Sequence, residues 1–431
     1  MKRNFTPRTL LGAGLIGIAS LASLAAMPIS ASAQELNVVL FSMPYTRGLA
    51  KLEADFEAKT GMSVNIDVIG QDVFENRITL SFTGKTGDLD VVHTPVIQVQ
   101  RWIEAGWLQP ITAAVEAMDS KDDILAGPLD AYVVKGEQWA LPFFAETGMM
   151  AYRSDILADA GYDKAPETWD EMLEVAAKVK SDDIAAIAMR VAPGQGFNMF
   201  VFPMIMRAYG GKFFADYPSD LTPAMNSPEN LKALEIYSTL MNEYGPEGIG
   251  NFNFSEVAAS IQSGQAAMIV DGTSIVAQAL DPAKSRFADK ISIAAVPSGP
   301  AGRSPAIAVH GLGVPADAPN PEASFAFIEW ATSEDVLTKI ALSEPFPDFT
   351  RASVARNPDV VAKYASVHPK FLDLRVQMLN DAIGHYRPLL PQWPEIGAAV
   401  GENINAAING IMSNQEALAA ADEEIAEILA D

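Results

Sequence analysis

The chain contains no cysteine among its 431 residues. This absence excludes disulfide bonds, a cysteine nucleophile and zinc sites built from thiolates. It also excludes a lipidated N-terminal cysteine, which is the usual tether of exported proteins in bacteria that lack an outer membrane. The composition therefore favours a protein that diffuses freely between two membranes.

Histidine is also scarce, with four residues at positions 93, 310, 368 and 385. None of them has the His-x-x-x-His or Glu-x-x-His spacing of a metal site. The mature chain has no Gly-x-Ser-x-Gly nucleophile elbow and no complete phosphate-binding P-loop. We therefore expect no metal and no cofactor. The 54 acidic residues leave open a pair of catalytic carboxylates of the glycosidase kind.

Positively charged residues are also few. The chain has 30 Lys and Arg and 54 Asp and Glu, which gives a formal net charge of −24. Such an acidic surface argues against binding to nucleic acid or to anionic lipid. After residue 33, no stretch reaches the ~20 apolar residues of a membrane span.

The first 33 residues have the pattern of an export signal. Three basic residues precede an apolar run over residues 10–27, and no acidic residue interrupts them. Ala31 and Ala33 offer the small side chains that a signal peptidase recognises, so we expect the mature chain to begin at Gln34. The general secretory route is favoured over twin-arginine export.

The first third of the mature chain alternates strand and helix patterns. Strands are predicted at residues 36–41, 64–69 and 89–92, and helices at 46–60 and 96–105, with a further helix between them that carries Phe74, Ile78 and Phe82 on one side. Phe56 lies on the apolar face of the first helix, and Gly61 is placed to end that helix. This alternation predicts an α/β fold with a parallel sheet covered by helices on both faces.

The middle of the chain repeats these signals. A strand is predicted at residues 149–152, and residues 266–270 and 291–296 predict strands of a second sheet. Thr168 and Glu171 have the spacing of a capping box at the start of a helix. Further helices are predicted at residues 197–209 and 228–244, and the chain after residue 314 is mostly helical.

Polar side chains follow each of the first three predicted strands. They are Ser42 and Tyr45, then Gln71 and Asp72, then His93 and Thr94. The carboxyl ends of parallel strands are where α/β proteins bind ligands. Amide, carboxylate and aromatic groups in these loops favour recognition of a small polar molecule such as a sugar.

Several separated segments, in order, resemble the first family of extracellular solute-binding proteins, whose maltose-binding members serve sugar importers. They are FEAKTG at 56–61, GDLDVV at 87–92, AGWL at 105–108, PETWDE at 166–171, GGKFF at 210–214, GQAAM at 264–268 and the tail 410–418. The resemblance covers essentially all of the mature chain.

The resemblance implies a two-lobe α/β periplasmic binding protein fold of type II, with a ligand cleft between the lobes and three crossover hinge segments. The crossings are expected at residues 144–148, 306–310 and 343–350. The N-terminal lobe would then comprise residues 34–145 and 310–345. The C-terminal lobe would comprise residues 146–309 and 346–431.

The resemblance also implies binding residues beyond the first three loops. Glu146 matches a position where maltose binders hold a sugar hydroxyl with a carboxylate. The remaining candidates lie near the start of a helix, after a strand, at or after a crossing, and near the C-terminus; they are Gln195, Phe197, Asn198, Asp271, Thr273, His310, Arg351 and Trp393. The family often has Trp where this chain has Thr273. Other tryptophans, such as Trp169, are expected in the core.

These observations predict a periplasmic, monomeric receptor that captures a carbohydrate or polyol by lobe closure and delivers it to the permease of an ABC importer in the inner membrane. No catalytic residue is assigned. A secreted carbohydrate-active enzyme remains an alternative, and so does a receptor of the same fold for a polyamine or an anionic sugar derivative. A sensor that signals without transport is not separated from these by the sequence.

Overall fold

A computed structural model describes residues 35–344 and 346–430, without the side chains of Gln71 and Asp72. The predicted export signal lies outside the described residues. Within these ranges, no helix combines the length and the apolar character needed to cross a membrane.

Most strands of the protein join one nine-stranded sheet in the order β2-β1-β3-β13-β7-β11-β8, with β12 beside β7 and β4 beside β13. Two short hairpins, β5-β6 and β9-β10, lie apart from it. The strands are β1 (Leu36–Phe41), β2 (Val64–Ile69), β3 (Val91–Pro95), β4 (Leu108–Gln109), β5 (Val133–Val134), β6 (Glu137–Gln138), β7 (Leu141–Arg153), β8 (Ala185–Ala188), β9 (Phe214–Asp216), β10 (Asp220–Pro223), β11 (Ala266–Gly272), β12 (Ile291–Ala294) and β13 (Ile307–Pro315).

The helices pack on both faces of this sheet. They are α1 (Pro44–Ala50), α2 (Glu53–Thr60), α3 (Gln71–Gly84), α4 (Val96–Glu104), α5 (Thr112–Glu116), α6 (Ala126–Asp130), α7 (Ser154–Asp159), α8 (Trp169–Val179), α9 (Asn198–Ala208), α10 (Pro228–Tyr244), α11 (Phe254–Ser263), α12 (Thr273–Leu280), α13 (Pro321–Ala331), α14 (Glu334–Ser343), α15 (Ala352–Arg356), α16 (Pro358–Ala365), α17 (Phe371–Asp381), α18 (Trp393–Ile408) and α19 (Asn414–Ala430).

The long strand β7 joins two groups of strands. Its first half pairs antiparallel with β13, which in turn pairs with β3, while β1, β2 and β3 run parallel. Its second half pairs with β11 and β12. We call the elements around β1–β3 the first lobe and those around β8, β11 and β12 the second lobe. The prediction of a separate second sheet is wrong, because β7 is far longer than the predicted strand and continues from one lobe into the other.

Local signals placed several elements correctly. The bounds of β1, β2 and α10 are those predicted. Gly61 ends α2 with a left-handed φ of 73°. At the start of α8, the Glu171 N–H donates to Oγ1 of Thr168 over 3.1 Å, as the capping pattern predicts. The Glu171 carboxylate accepts from the N–H of Glu167, one residue earlier than the standard box.

The helix predicted over residues 46–60 is two helices, α1 and α2, separated at Lys51 and Leu52. The apolar pattern of the sequence continues through these two residues, but a tertiary contact fixes the position of α2. The carboxylate of Glu53 accepts a hydrogen bond from the N–H of Ile66 over 2.9 Å. This bond ties α2 to β2, the edge strand of the first lobe, and the chain bends between the two helices.

The third crossing lies later than predicted. Residues 346–381, expected in the second lobe, pack on the first: α17 contacts α6 and β7, and the Leu125 N–H donates to the Thr350 carbonyl over 2.9 Å. Immediately afterwards, the hydroxyl of Tyr386 donates to the carbonyl of Phe200 in α9 over 2.9 Å. The chain therefore passes to the second lobe at residues 382–387, just before α18.

Candidate functional site

The centre of the molecule is built on one face of β7 and β13. Ala308 pairs with Glu146 and His310 with Phe144, so that these four side chains lie side by side. The pairing shifts by one residue between His310 and Gly311. This irregularity ends the regular ladder at His310, at the edge of the cavity described next.

A cavity of about 140 Å³, which we call the inner cavity, lies over this face. The first lobe contributes the start of α1, the second lobe contributes α12, and the segment after α14 closes one side. Its lining residues are Met43, Pro44, Tyr45, Phe144, Glu146, Ser274, Ala308, His310, Phe346 and Asp348. Both lobes and two of the central strands therefore meet around one space.

Glu146 is held in place by hydrogen bonds from Ser274 of the second lobe. Its Oε1 accepts hydrogen bonds from the backbone N–H of Ser274, over 3.0 Å, and from the hydroxyl of Ser274. A Cβ atom at Gly272 would lie 2.7 Å from the carboxyl carbon of Glu146, so glycine is needed for this close approach. The carboxylate thus sits at the N-terminus of α12, where the helix dipole favours negative charge.

His310 forms a neutral pair with His93. Nδ1 of His310 and Nε2 of His93 are 2.8 Å apart, and the His310 ring stacks on Phe144 with centroids 4.5 Å apart. Burial lowers the pKa of His310 to about 4, and the positive charge of Arg387 acts in the same direction. Burial also lowers the pKa of His93, helped by His310. Both rings are therefore uncharged at neutral pH.

Ser274 and Asp348 are polar residues of the inner cavity that the sequence analysis missed. The pKa of Asp348 is raised to about 7, mainly by burial; the charge of Glu146 acts in the same direction, and Arg375 opposes both. The predicted crossing at residues 343–350 contains this aspartate, and that was the available signal. Only Arg351, just beyond that segment, was singled out.

Asp348 and two polar side chains near it, Tyr45 and Arg375, have unused hydrogen-bonding atoms. Within the described residues, the Tyr45 hydroxyl, Oδ1 of Asp348, and Nε and Nη1 of Arg375 are buried and have no partner. Nη2 of Arg375 donates to the carbonyls of Ala145 and Phe349 over 2.8 and 2.9 Å. The arginine is therefore fixed in place while part of its guanidinium remains free.

A second pocket of about 140 Å³ lies between α3 and α4 of the first lobe. We call it the outer pocket. It is lined largely by apolar and aromatic residues, among them Phe41, Phe74 and Trp102, and it shares His310 with the inner cavity. His310 therefore stands between the two spaces.

The second lobe contains a buried ion pair. Nε of Arg190 donates to both carboxylate oxygens of Asp271, over 3.1 and 3.0 Å, and Nη2 also bonds to Oδ1. Nη1 donates to the carbonyl of Gly196, and the guanidinium lies 4.4 Å from the centre of the Phe200 ring. Asp271 is fully buried. Its side chain supports the loop before α9 rather than the cavity lining.

Of the predicted first-lobe residues, Tyr45 lines the inner cavity and His93 stands behind His310. The Ser42 hydroxyl accepts from Arg47 over 3.2 Å, at the exit of β1. Thr94 is buried and its hydroxyl donates to the Val92 carbonyl over 3.2 Å. Gln71 and Asp72 begin α3, and their side chains lie outside the described part of the chain.

The predicted residues of the second lobe mostly bind backbone. Nε2 of Gln195 donates to the carbonyl of Trp393 over 3.1 Å, and Nδ2 of Asn198 donates to the carbonyl of Gly401 over 2.6 Å. These bonds tie the loop before α9 to α18. Thr273 is buried at the start of α12.

Two aromatic candidates pack on other rings. The centroid of Trp393 lies 4.9 Å from that of Phe213 in an edge-on arrangement, and Trp393 is 2% exposed. Phe197 lies 6.1 Å from Phe254. Neither ring lines the inner cavity. Trp169, expected in the core, is fully buried.

Arg351 does not line the inner cavity. It is 1% exposed, its Nε donates to the carbonyl of Thr332, and its Nη1 donates to the carbonyl of Ser120 over 2.7 Å. A carboxylate oxygen of Asp123 lies 3.7 Å from Nη1. The expected contact with a hydroxyl or an anion is replaced by bonds that hold the first lobe together.

Arg387 is a buried cation that the sequence did not indicate. Its Nη1 donates to the carbonyl of Gln195 over 2.6 Å, and it lines a small space together with Trp393. Burial lowers its pKa, and the neighbouring Arg190 lowers it further. No group of three or more metal-ligating side chains occurs within the residues that the structure describes.

The family model for bacterial extracellular solute-binding proteins matches residues 44–337 of this chain. The chain belongs to this family. The mannitol-binding protein of Pseudomonas aeruginosa is 30% identical over 373 residues, which cover 83% of this chain and 84% of that protein.

Two solved structures of the family are similar over most of the chain. The ABC transporter solute-binding protein of Agrobacterium radiobacter K84, in complex with ribitol, is 27% identical, with a TM-score of 0.76 and coverage of 91% of this chain and 98% of that one. The protein of Agrobacterium vitis S4, with bound D-mannitol, is 27% identical, with a TM-score of 0.72 and coverage of 92% and 98%. The expected two-lobe fold is thereby confirmed.

Proposed function

We propose that this protein is the receptor of an ABC importer and that it captures a polyol or a sugar of similar size in the cleft between its lobes. The inner cavity is the observation that carries this proposal. It is lined by residues of both lobes, and its carboxyl, hydroxyl and imidazole groups can form hydrogen bonds with the hydroxyl groups of a solute.

The size of the inner cavity favours a small solute. A cavity of about 150 Å³ is known to hold one benzene molecule. The inner cavity, at about 140 Å³, therefore suits a polyol or one end of a monosaccharide better than a disaccharide. The mannitol-binding relative and the neighbours with bound ribitol and D-mannitol support the same solute class.

Capture by lobe closure follows from the placement of the lining residues. Tyr45 belongs to the first lobe and Ser274 to the second, while Glu146 lies on the strand that joins them. A solute that contacts all three stabilises the closed arrangement over the open one. We place the receptor in the periplasm as a monomer, with the closed form as the one that docks on the permease. No turnover of the solute is expected.

A thermal-shift titration tests this function. The purified mature protein is heated with erythritol, ribitol, D-mannitol, glucose, maltose, gluconate or putrescine. We expect a higher melting temperature with at least one polyol, because a solute that binds only the native state stabilises it. The same polyol should be recovered intact after prolonged incubation.

Two results would contradict the proposal. A shift with putrescine or gluconate alone would identify a receptor for a cation or for a sugar acid. Conversion of the solute would identify an enzyme. As a matched check on the site, Glu146→Gln should weaken binding, whereas Glu137→Gln, at an exposed position of the β5-β6 hairpin, should not.

A further inference from the structure

The inner cavity has one end where hydrogen-bonding capacity is left unused. The Tyr45 hydroxyl and Oδ1 of Asp348 are both buried and both lack a partner within residues 35–344 and 346–430. Both residues line the cavity. Buried polar groups are nearly always bonded, so two free groups at one end of a cavity indicate a missing partner.

The charges at this end favour a neutral partner. Asp348 lies in the field of Arg375, which opposes the effect of burial on its carboxyl group. Arg375 is anchored to the carbonyls of Ala145 and Phe349, and its guanidinium lies 4.6 Å from the centre of the Phe349 ring. Arg375 therefore disfavours a cation at this end, and the carboxyl groups of Asp348 and Glu146 disfavour an anion.

The walls next to this end are apolar. The stacked rings of Phe144 and His310 form one side, and Met43, Pro44 and Phe346 form others. Such walls suit the C–H groups of a carbon chain. A hydroxyl group, which donates one hydrogen bond and accepts others, suits the pair of Tyr45 and Asp348.

We propose that Tyr45 and Asp348, with Arg375 as the positioning residue behind them, form the subsite that binds a terminal hydroxyl of an acyclic polyol. This inference rests on the proposed polyol-receptor function and assigns to these side chains the recognition of the end of the chain. Glu146 and Ser274 are then left to the inner hydroxyls.

Isothermal titration with matched ligands tests the subsite. D-mannitol is compared with 1,6-dideoxymannitol, which lacks both terminal hydroxyls; if mannitol does not bind, ribitol and 1,5-dideoxyribitol take their place. The wild type should prefer the parent polyol by about 10- to 100-fold, since a hydrogen bond to a charged group contributes roughly 1.5–3 kcal/mol.

The variants Tyr45→Phe and Asp348→Asn should each reduce this preference by about tenfold or more, and affinity for the dideoxy compound should change little. Asp90→Asn is the matched control. Asp90 is also a buried aspartate with an unpartnered oxygen, but it bonds to the N–H of Asn37 and does not line the cavity. The control should keep the wild-type preference.

The outcomes separate the two proposals. If the wild type binds a polyol and both variants keep the full preference for terminal hydroxyls, the subsite is wrong and the receptor function stands. If the wild type binds glucose but no polyol of the panel, the subsite is wrong and the receptor function stands; if it binds neither, both proposals are overturned. Loss of affinity for parent and dideoxy compounds alike in both variants would show a structural role and would also overturn the subsite.

Discussion

Two arginine–aspartate pairs lie near the cleft, and they differ in how completely they are hydrogen-bonded. Arg190 and Asp271 in the second lobe share several direct hydrogen bonds, and Asp271 also accepts from the N–H of Gly272 over 2.6 Å. Arg375 and Asp348 make no direct bond within the described residues, and both keep unpartnered atoms. Only Asp348 lines the inner cavity.

The comparison distinguishes support from recognition. Burying a charge is costly unless it is paired and hydrogen-bonded, and Arg190 and Asp271 meet this condition with protein atoms alone. The second pair does not, and its free atoms border a space of solute size. We infer that the saturated pair stabilises the second lobe, whereas the unsaturated pair is completed by the solute.

The largest expected effect is the loss of the saturated pair. Asp271→Asn would leave the Arg190 guanidinium buried without a counter-charge, so the free energy of unfolding should fall by about 3–5 kcal/mol. Urea denaturation at pH 7.5 measures this change. Asp155→Asn is the matched control. Asp155 also binds an arginine, Arg153, through two hydrogen bonds, but its side chain is 34% exposed.

Asp155→Asn should lower the free energy of unfolding by about 1 kcal/mol or less, because solvent screens a partly exposed ion pair. Equal losses for Asp271→Asn and Asp155→Asn would show that burial of the Arg190 pair adds nothing. The conclusion that the pair of Arg190 and Asp271 stabilises the second lobe would then be wrong.

The second expected effect is a change in pH dependence at the unsaturated pair. Asp348 is faced by Glu146 of β7, Arg375 of α17, Tyr45 of α1 and Tyr364 of α16. Its pKa in the folded protein is about 7, above the ordinary value of 3.8. The stability that this raised pKa contributes is therefore complete below pH 3.8 and is lost as the pH rises through 7.

Asp348→Asn removes this titration. The free energy of unfolding is measured from pH 4 to pH 8 without solute. The value for the variant should rise relative to that of the wild type as the pH increases. The gain should reach about 4 kcal/mol, since the pKa shift is about three units and one unit corresponds to about 1.4 kcal/mol. A constant difference across the range would show that Asp348 is ionised throughout and would weaken the contrast with Asp271.

The fold was largely predictable because its signals are local. The strand β1 and the helix α10 have apolar patterns and end signals within their own residues, and their bounds were found from these alone. The continuity of the sheet was not found. It depends on the length of β7, where Leu141 to Phe144 pair with a strand more than 160 residues later in the chain.

The candidate site was predictable only in part. Tyr45, Glu146 and His310 were proposed from the sequence, and the structure brings all three to the inner cavity. Asp348 and Arg375 were not found in the same way, because residues 346–381 were expected in the second lobe, whereas the structure packs them on the first. Nothing in the local pattern distinguishes Asp348 from the many surface acids of this chain.

The smallest expected effect concerns Glu146, whose carboxylate is more completely hydrogen-bonded than that of Asp348 and less completely than that of Asp271. Its Oε1 is bonded to Ser274, whereas its Oε2 makes no hydrogen bond within the described ranges and is left for the cavity. Ser274→Ala removes one of the two bonds and keeps the backbone N–H. The free energy of unfolding should fall by about 0.5–1.5 kcal/mol in urea denaturation.

Solute binding by Ser274→Ala then shows whether the bond between Ser274 and Glu146 serves mainly to support the fold or also to recognise the solute. The remaining bond from the Ser274 N–H, 3.0 Å long, keeps the carboxylate at the start of α12. The affinity for D-mannitol, measured by titration, should therefore fall by less than about tenfold, and less than in Asp348→Asn. A loss as large as that of Asp348→Asn would mean that anchoring by the second lobe is itself part of recognition, and a strict division between supporting and recognising groups would fail at Glu146.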